Sequence, residues 1–209
     1  MLLNDQELQQ LAATIADVET TTDAEIVTVL APQADSYAFI PALWAALISL
    51  SIPLFLMLIG FELTVPVILT LQWGLLGILT LLFRWQPVLR WVVPQFVQRH
   101  RAAQLARYQF LEQGLHHTEH ETGVLIFVSE LERYVEILTD RGICKVIKDN
   151  EWQSIIDHMT SRVKQQQTIE GFIDCIQQSG QLLAERLPPR DTNPNELCNQ
   201  LIVLDYYPG

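Results

Sequence analysis

The sequence predicts an α/β domain, built on one mixed sheet with helices around it, that is interrupted by two transmembrane helices. Two observations support this fold class. The 209-residue chain contains two long uncharged stretches, one of 26 residues at 36–61 and one of 21 residues at 63–83. Segments with the composition and alternation of strands lie on both sides of them, at 24–30, 123–129 and 133–139. The uncharged stretches are therefore expected to be an insertion into a single domain.

The first elements are an amphipathic helix and a strand. Apolar residues recur at helical spacing through "LNDQELQQLAATIADVE", and Asn4 with Glu7 has the spacing of a capping box, so we predict a helix from about residue 5. The segment "AEIVTVL" (24–30) alternates and is rich in β-branched residues, which favours a strand that Pro32 ends. One helix and one strand cannot bury their apolar faces alone, so they need partners elsewhere in the chain.

The two uncharged stretches predict transmembrane helices at about 38–60 and 63–83. Crossing a hydrocarbon core takes about 20 apolar residues in a helix, and each stretch is long enough alone. Buried helices of a soluble core are the alternative, but two such runs are rare in so small a domain. A cleaved signal peptide would follow a basic N-terminal region, whereas a polar, acidic segment comes first here. We therefore expect both spans in the mature protein.

The distribution of basic residues predicts the orientation in the membrane. All 13 Lys and Arg residues lie at or after Arg84, and Arg84, Arg90, Arg99 and Arg101 follow the second span closely. Such a cluster indicates the cytoplasmic side, and two spans return the chain to its starting side. We predict a multi-pass protein of the bacterial inner (cytoplasmic) membrane with both termini in the cytoplasm. The basic residues are expected to meet anionic headgroups, which makes the lipid bilayer the first predicted partner.

Charge and cysteine usage exclude two classes of function. The net charge of −11 argues against nucleic acid as a partner, because nucleic-acid binding needs concentrated Lys and Arg. The three cysteines, Cys144, Cys175 and Cys198, lack the spacing of metal ligands. In a cytoplasmic domain we expect them to be reduced thiols.

Further helices and strands are predicted after the spans. We expect an interfacial segment at 86–100, a helix from about Arg99 to near Gly114, the strand hairpin, and helices from Asp149 through about Gln165 and from Ile169 to Leu187. The segment "LIVLD" is either a late strand or a packed tail.

The predicted domain boundaries follow from this order. Residues 1–37 and 101–190 form the two parts of one domain, 38–85 the transmembrane hairpin, 86–100 the interfacial segment, and 191–209 a C-terminal tail. The alternative is an independent C-terminal domain with a floppy N-terminal arm, which would leave the first strand unpaired.

Three blocks cover most of the chain outside the uncharged stretches: "TTTDAEIVTVLAPQADSY", "GLHHTEHETGVLIFVSELERYVEILTDRGI", and "EWQSIIDHM" with "EGFIDCIQQSGQLLAERLPP". In this order they resemble the TPM domain family, and specifically its small membrane-associated bacterial branch. The resemblance implies an α/β/α sandwich on a short mixed sheet. Other members of the family include thylakoid-lumen proteins linked to photosystem repair and to acid-phosphatase activity, and some bind calcium. At two turns where those members are acidic or glycine-rich, this chain reads "ETG" and "TDRG".

Three carboxylates in or beside the family's motifs are the ligand or metal candidates. They are Glu25, Asp35 and Asp140. Asp35 and Asp140 each follow a strand, and ligands favour the carboxyl ends of strands in open α/β sheets. Carboxylates that converge there could bind a hard cation, so calcium is the candidate cofactor, and no other is predicted. The alternative is structural: Asp140 shapes a turn, and Glu25 pairs with Arg133 or Arg141.

Two further groups of residues have a functional and a structural interpretation. Arg133 and Arg141 flank the second strand of the hairpin and are candidates for binding a phosphate or carboxylate; surface ion pairing is the alternative. The segment "HHTEHE" (116–121) offers metal-ligand residue types, but its spacing favours a solvated polar turn. The sequence contains no P-loop, dinucleotide fingerprint, nucleophile elbow or zinc motif, and no catalytic residue is predicted.

These observations predict a membrane-anchored TPM-like domain that acts as a binding or assembly module for a membrane protein complex. A second membrane protein would then be its partner. The alternative function is a metal-assisted, calcium-dependent hydrolase similar to an acid phosphatase.

Overall fold

The computed structural model of the protein describes residues 4–118, 120–190, 197 and 199–204. It divides into two compact units: one is formed by residues before 35 and after 98, and the other by residues 35–98. In chain order the elements are α1 (Asp5–Glu19), β1 (Glu25–Ala31), α2 (Phe39–Leu58), α3 (Val65–Phe83), α4 (Gln86–Val92), α5 (Gln95–Glu112), a 3₁₀ turn (Leu115–His117), β2 (Gly123–Ser129), β3 (Tyr134–Thr139), α6 (Arg141–Cys144), α7 (Asp149–Lys164), α8 (Thr168–Arg186) and β4 (Leu201–Val203).

The first unit is built on a four-stranded mixed sheet in which β1 is a central strand. The strand order is β3-β2-β1-β4. β1 pairs in parallel with β2, from Glu25 opposite Gly123 to Ala31 opposite Ser129, and in parallel with β4 on its other side. β2 pairs with β3 in the antiparallel direction. The predicted fold class, a mixed sheet with flanking helices, is confirmed, and the strand that precedes the uncharged stretches pairs with strands that follow them.

Helices cover both faces of this sheet. Successive side chains of a strand point to opposite faces, so Ile26 and Leu30 face one core while Val27 and Val29 face the other. The larger core lies under α1, α7 and α8, and the smaller one lies under α5. All seven residues of β1 and all seven of β2 are buried, as expected for central strands covered on both faces. The larger core includes Leu11, Ile15, Val124, Ile126, Val128, Trp152, Met159, Phe172 and Ile176, and the smaller one includes Ala102, Ala106, Leu115, Leu125 and Phe127.

The second unit contains two apolar helices that expose most of their side chains. In α2 the buried residues Pro41, Ala45, Ser49 and Pro53 recur every four residues, and small residues on one face allow close packing of helices. α2 and α3 pack against each other and have mean hydropathies of 2.1 and 2.0. Buried helices of a soluble core would be mostly enclosed, whereas 28% of the apolar window of α2 and 0% of that of α3 are buried. By length and composition both helices are candidates for spanning a membrane.

Most predicted elements are present with shifted ends. The Asn4–Glu7 capping box starts α1 as expected, with the Asn4 N–H donating to Glu7 Oε2 at 2.9 Å. The helix expected from Arg99 starts four residues earlier, at Gln95 directly after Pro94, because a proline disfavours helical conformation in the residue before it, and Val93 is extended. The segment "LIVLD", left open between a strand and a packed tail, contains the short strand β4.

The cysteines of the described residues are free thiols. Cys144 is exposed and Cys175 is buried, while Cys198 lies outside the described residues. Burial raises the pKa of the Cys175 thiol to about 12, against a hydrogen bond with Ser179 that lowers it. Cys175 is therefore a neutral, packed side chain at physiological pH.

The central position of β1 predicts the effect of a charge in that strand. Val29 is fully buried opposite Phe127, so Val29→Asp should destabilise the whole first unit by about 3 kcal/mol or more, a large part of a typical domain's stability. Urea unfolding of the detergent-solubilised protein and protease resistance of residues 99–187 measure the effect. Val203→Asp, on the half-exposed edge strand β4, is the matched control and should be nearly neutral. Unchanged resistance in Val29→Asp would indicate an unpaired N-terminal arm instead.

Candidate functional site

The two ends of the sheet carry different sets of polar residues. We call the end where β1 and β2 begin the amino end, and the end where they finish the carboxyl end. Because β3 is antiparallel to β2, β3 begins at the carboxyl end and finishes at the amino end. β1 has seven residues, so the two ends lie about 20 Å apart.

Two of the three predicted ligand carboxylates lie at the amino end. Glu25 is the first residue of β1 and stands opposite Gly123. The Asp140 N–H donates to the carbonyl oxygen of the same Gly123 at 2.9 Å. Both acidic side chains are buried, with 3% of Glu25 and 8% of Asp140 exposed.

The third carboxylate, Asp35, follows the carboxyl end of β1. The chain leaves β1 at Ala31, so it passes Asp35 after the end of the sheet that is opposite to Glu25. The expected convergence of three carboxylates at the carboxyl ends of strands is therefore wrong, because β3 runs opposite to β1. Asp35 Oδ1 accepts hydrogen bonds from the Tyr37 N–H at 3.3 Å and the Ser36 hydroxyl at 3.4 Å, and so shapes the turn before α2. A ligand role for each carboxylate separately stays a prediction.

The two predicted anion-binding arginines lie at opposite ends of β3. Arg133 directly precedes β3 at the carboxyl end, and Arg141 opens α6 at the amino end; both are exposed. They are separated by the length of a six-residue strand, so one small anion cannot contact both. The Arg141 N–H donates to Asp140 Oδ1 at 2.7 Å, which makes Asp140 the N-cap of α6. Asp140 thus has the turn-shaping position that was its structural alternative.

His120 and Glu121, at the end of the predicted polar turn, pack through their backbone against α6. A Cβ atom on Gly142 would lie 2.6 Å from the Glu121 carbonyl oxygen and 2.7 Å from that of His120, so glycine is required for this approach. The Lys145 ammonium pairs with Glu121 at 3.3 Å on the surface. His116 and His117 are exposed, and Glu119 lies outside the described residues. Among the residues that the structure describes, no group of three or more His, Cys, Asp or Glu side chains could hold a metal ion.

The amino end also holds a buried carboxylate that sequence reasoning missed. Glu19, the last residue of α1, accepts a hydrogen bond from the Ile26 N–H at 2.9 Å and another from the Asn199 side-chain amide. These bonds join α1, β1 and the segment that leads into β4. A signal was present: Glu19 continues the i, i+4 series of the buried residues Leu11 and Ile15, so it lies on the apolar face of α1.

Neighbouring polar groups complete this amino-end cluster. Glu25 Oε2 accepts a hydrogen bond from the Leu197 N–H at 3.4 Å. The buried Asp23 pairs with Arg190 at 3.2 Å. Burial raises the pKa of the Glu19 carboxyl from 4.5 to about 7, and the negative charge of Glu25 adds to the rise, while the two bonds donated to Glu19 oppose it.

At the carboxyl end of the sheet, hydrogen bonds hold residues 31–34, which precede the second unit. The Ala34 N–H donates to Glu132 Oε1 at 3.0 Å, and the Ser129 hydroxyl donates to the other oxygen of Glu132. The N–H groups of Glu130 and Leu131 donate to the carbonyl oxygens of Ala31 and Pro32, each at 3.0 Å. The turn between β2 and β3 therefore holds residues 31–34 in place.

The same turn is tied to α8. The hydroxyl of Thr168, at the start of α8, donates to Glu130 Oε1 at 3.0 Å. Arg133 closes the turn in a left-handed conformation, with a φ of 50° and its N–H on the Glu130 carbonyl at 3.2 Å. In the sequence, "SELER" looks like an ordinary charged surface turn, so these roles of its glutamates could not be read from it.

The raised pKa of Glu19 predicts how stability depends on pH. Because the folded pKa lies above the unfolded one, the stabilising contribution of the protonated group is complete below about pH 4.5 and is lost as the pH rises through about 7. Between pH 5 and pH 8 the wild type should lose on the order of 2 kcal/mol of unfolding free energy from this group. Glu19→Gln should lack that loss.

Urea unfolding at pH 5, 6, 7 and 8 measures this difference. Glu185→Gln, an exposed position on α8, is the control and should keep the wild-type slope. Parallel pH dependences for the wild type and Glu19→Gln would contradict the assignment.

Comparison with known proteins finds one matching family model and one similar structure. Residues 90–182, from α4 to near the end of α8, match the family model of the TPM domain. The chain is also similar to the NMR structure of BA42 protein from the psychrophilic bacterium Bizionia argentinensis, with a TM-score of 0.60 and 18% identity over 97% of this chain and 96% of that one. At this identity the likeness shows the fold. No curated protein matches the chain. Residues 90–182 are therefore similar to the TPM domain, and the likeness to the BA42 protein extends the same fold over nearly the whole chain.

Proposed function

We propose that the protein is a membrane-anchored binding module, in which α2 and α3 hold the chain in a bilayer and the TPM domain presents a surface to another membrane protein. The observation that carries this proposal is the exposed apolar surface of the two helices. Leu54, Leu58, Trp73 and Leu81 are each exposed by 70% or more. Soluble proteins rarely expose contiguous apolar surface of this kind, whereas a bilayer would cover it.

The connectivity supports an arrangement with the TPM domain on one side of the membrane. The chain leaves the first unit after Ala34 and returns to it at Arg99, so both ends of the insertion join the same folded unit, whose sheet contains strands from before and after the insertion. One sheet cannot lie on both sides of a bilayer, so α2 and α3 would cross it as a pair. The arginines from Arg84 onward favour the cytoplasmic side for this domain.

The polar contacts within the TPM domain favour binding over catalysis. Glu132 holds Ala34, Glu130 ties the β2–β3 turn to α8, and Glu19 joins α1 to the sheet. Their oxygens are therefore used to build the fold. Phosphate-ester hydrolysis needs a positioned nucleophile or metal-bound water, together with groups that stabilise the developing charge. The hydrogen bonds observed at these glutamates join segments of the fold to one another.

A metal-assisted phosphatase is the second candidate function, and one observation favours it. Asp140 Oδ2 is buried and has no hydrogen-bond partner within the described part of the chain, and it lies at the same end of the sheet as Glu25. A cation beside these two carboxylates would satisfy that oxygen. The family model that the chain matches is also named for a phosphatase.

The anchoring proposal predicts the outcome of membrane extraction and of reporter fusions. The protein should stay in the membrane pellet after alkaline carbonate washing, because α2 and α3 would be covered by lipid. A fluorescent protein fused after Gly209 should fluoresce, and a periplasmic phosphatase reporter inserted after Phe61 should be active. Release by carbonate would contradict the anchor, and activity of the phosphatase reporter at Gly209 alone would contradict the orientation.

The binding role predicts a defined neighbour for the TPM domain. A photoreactive amino acid at Tyr108 or Val146, which are exposed apolar positions of this domain, should crosslink in cells to one and the same membrane protein. Glu185, exposed on α8, is the control position. Absence of an adduct at both test positions would contradict the proposal.

The two candidate functions differ in turnover. The purified protein should hydrolyse a generic phosphate ester only at background rates with calcium, magnesium or manganese, and Asp140→Asn should not change this. A metal-dependent rate well above background that disappears in Asp140→Asn would favour the phosphatase.

A further inference from the structure

The segment that follows α3 is basic, whereas the chain as a whole is acidic. Between Glu62 and Glu112 there is no acidic residue, although the protein has 24 of them and a net charge of −11. The same segment contains five arginines, at positions 84, 90, 99, 101 and 107. A strongly acidic protein thus contains one continuous basic segment, and that segment begins directly after an apolar helix.

The structure gives the beginning of this segment two distinct faces. Leu89 and Val93 are buried within the second unit, with 7% and 2% exposed, where α4 packs against α2 and α3. Arg90 and Trp91 are exposed, and Trp91 is exposed by 91%. The short helix α4 therefore packs through one side and presents an arginine and a tryptophan on the other.

The turn after α4 is fixed by a buried side chain. The Gln98 side-chain amide donates to the carbonyl oxygens of Arg90 and Val93, at 3.2 and 2.9 Å. Gln98 itself is 8% exposed. These bonds satisfy carbonyl groups that a helix leaves unpaired at its C-terminus, and they hold α4 in place.

Exposed aromatic residues accompany the arginines. Trp85 and Phe96 are exposed by 66% and 74%, and Arg84 with Trp85 directly follows Phe83, the last residue of α3. Tryptophan is enriched at the level of lipid headgroups, and arginine there interacts with their phosphates. A helix end followed by arginine and tryptophan is the composition that a membrane interface selects.

We propose that Arg84 and Arg90, together with Trp85 and Trp91, form a binding surface for anionic phospholipid headgroups. This inference rests on the proposed anchoring of α2 and α3 in a bilayer and adds a preference for one class of lipid. Continuity with α3 places the surface at headgroup depth, and its positive charge complements anionic rather than zwitterionic lipid. Each arginine near an anionic membrane surface favours binding by roughly fivefold.

Quenching by brominated lipids tests this preference in the full-length protein. Trp44 and Trp73 are replaced by Phe, so that Trp85 and Trp91 report on the lipid while Trp152, 3% exposed in the core, stays shielded. The protein is reconstituted into nanodiscs of phosphatidylcholine and phosphatidylglycerol in a 7:3 ratio, with bromine on one lipid or on the other. Per mole of brominated lipid, phosphatidylglycerol should quench Trp85 and Trp91 at least about twice as strongly as phosphatidylcholine does, and 0.5 M salt should reduce the difference.

Two double variants that remove equal charge test whether the preference for phosphatidylglycerol depends on Arg84 and Arg90. Arg84→Gln with Arg90→Gln should make the two lipids equally effective. Lys148→Gln with Lys164→Gln removes the same charge from exposed positions at the two ends of α7 and should keep the preference. Equal quenching in the unsubstituted arginine background, or a preference that survives loss of Arg84 and Arg90, would overturn the proposal.

Whether the protein enters nanodiscs at all tests the anchoring by α2 and α3 separately from the lipid preference. A protein that does not co-purify with nanodiscs of either composition would overturn both. Firm incorporation with equal quenching by the two lipids would overturn the lipid preference alone and leave the anchor standing.

Discussion

The parallel pairing of β1 with β2 is the interaction on which the rest of the fold depends. β1 is separated from β2 by 91 residues, yet the two strands pair along seven positions and are buried on both faces. β4 can pair only because β1 is present, and the cores on both faces of the sheet include β1 side chains. Without β1, the segment from α5 to α8 would have a two-stranded hairpin and no central sheet.

Polymer physics explains why so long an insertion is compatible with this pairing. The entropic cost of closing a loop grows slowly, by about 0.6 kcal/mol for each doubling of its length. The pairing of β1 with β2 requires that the two ends of the insertion lie close together. At the N-terminal end of the insertion, the chain is held by hydrogen bonds at the carboxyl end of the sheet. Glu132 holds Ala34, and the backbone of the β2–β3 turn holds Ala31 and Pro32. The insertion therefore begins directly after a segment that hydrogen bonds hold to the sheet.

Local signals predicted most elements, whereas strand direction and long-range polar contacts could not be read from them. The capping box of α1, the uncharged helices and the two strands of the hairpin each have a signature within a few residues. The placement of Asp35 and Asp140 depends instead on which strands run parallel, and that is decided by tertiary pairing. The expectation that the three carboxylates converge assumed that β1 and β3 end at the same edge of the sheet. They end at opposite edges, because β3 is antiparallel to β2 and therefore to β1.

The sequence analysis did not predict the hydrogen bonds of Glu19 and Glu132, and the reason differs between the two residues. Glu19 lies on the apolar face of α1, so its burial could have been inferred from helical spacing. Glu132 lies in a charged turn, and its partner Ala34 is 98 residues away. Both glutamates join segments that are distant in sequence. Such contacts hold the sheet together at both of its ends although a long insertion separates β1 from β2.

Amide hydrogen exchange in detergent tests the split-domain account most directly. The N–H groups of β1 are predicted to exchange as slowly as those of β2, since both strands are central and open only when the whole sheet unfolds. Protection of 25–31 comparable to that of 123–129 would agree with this account. Exchange of 25–31 within seconds, while 123–129 stays protected for hours, would contradict it.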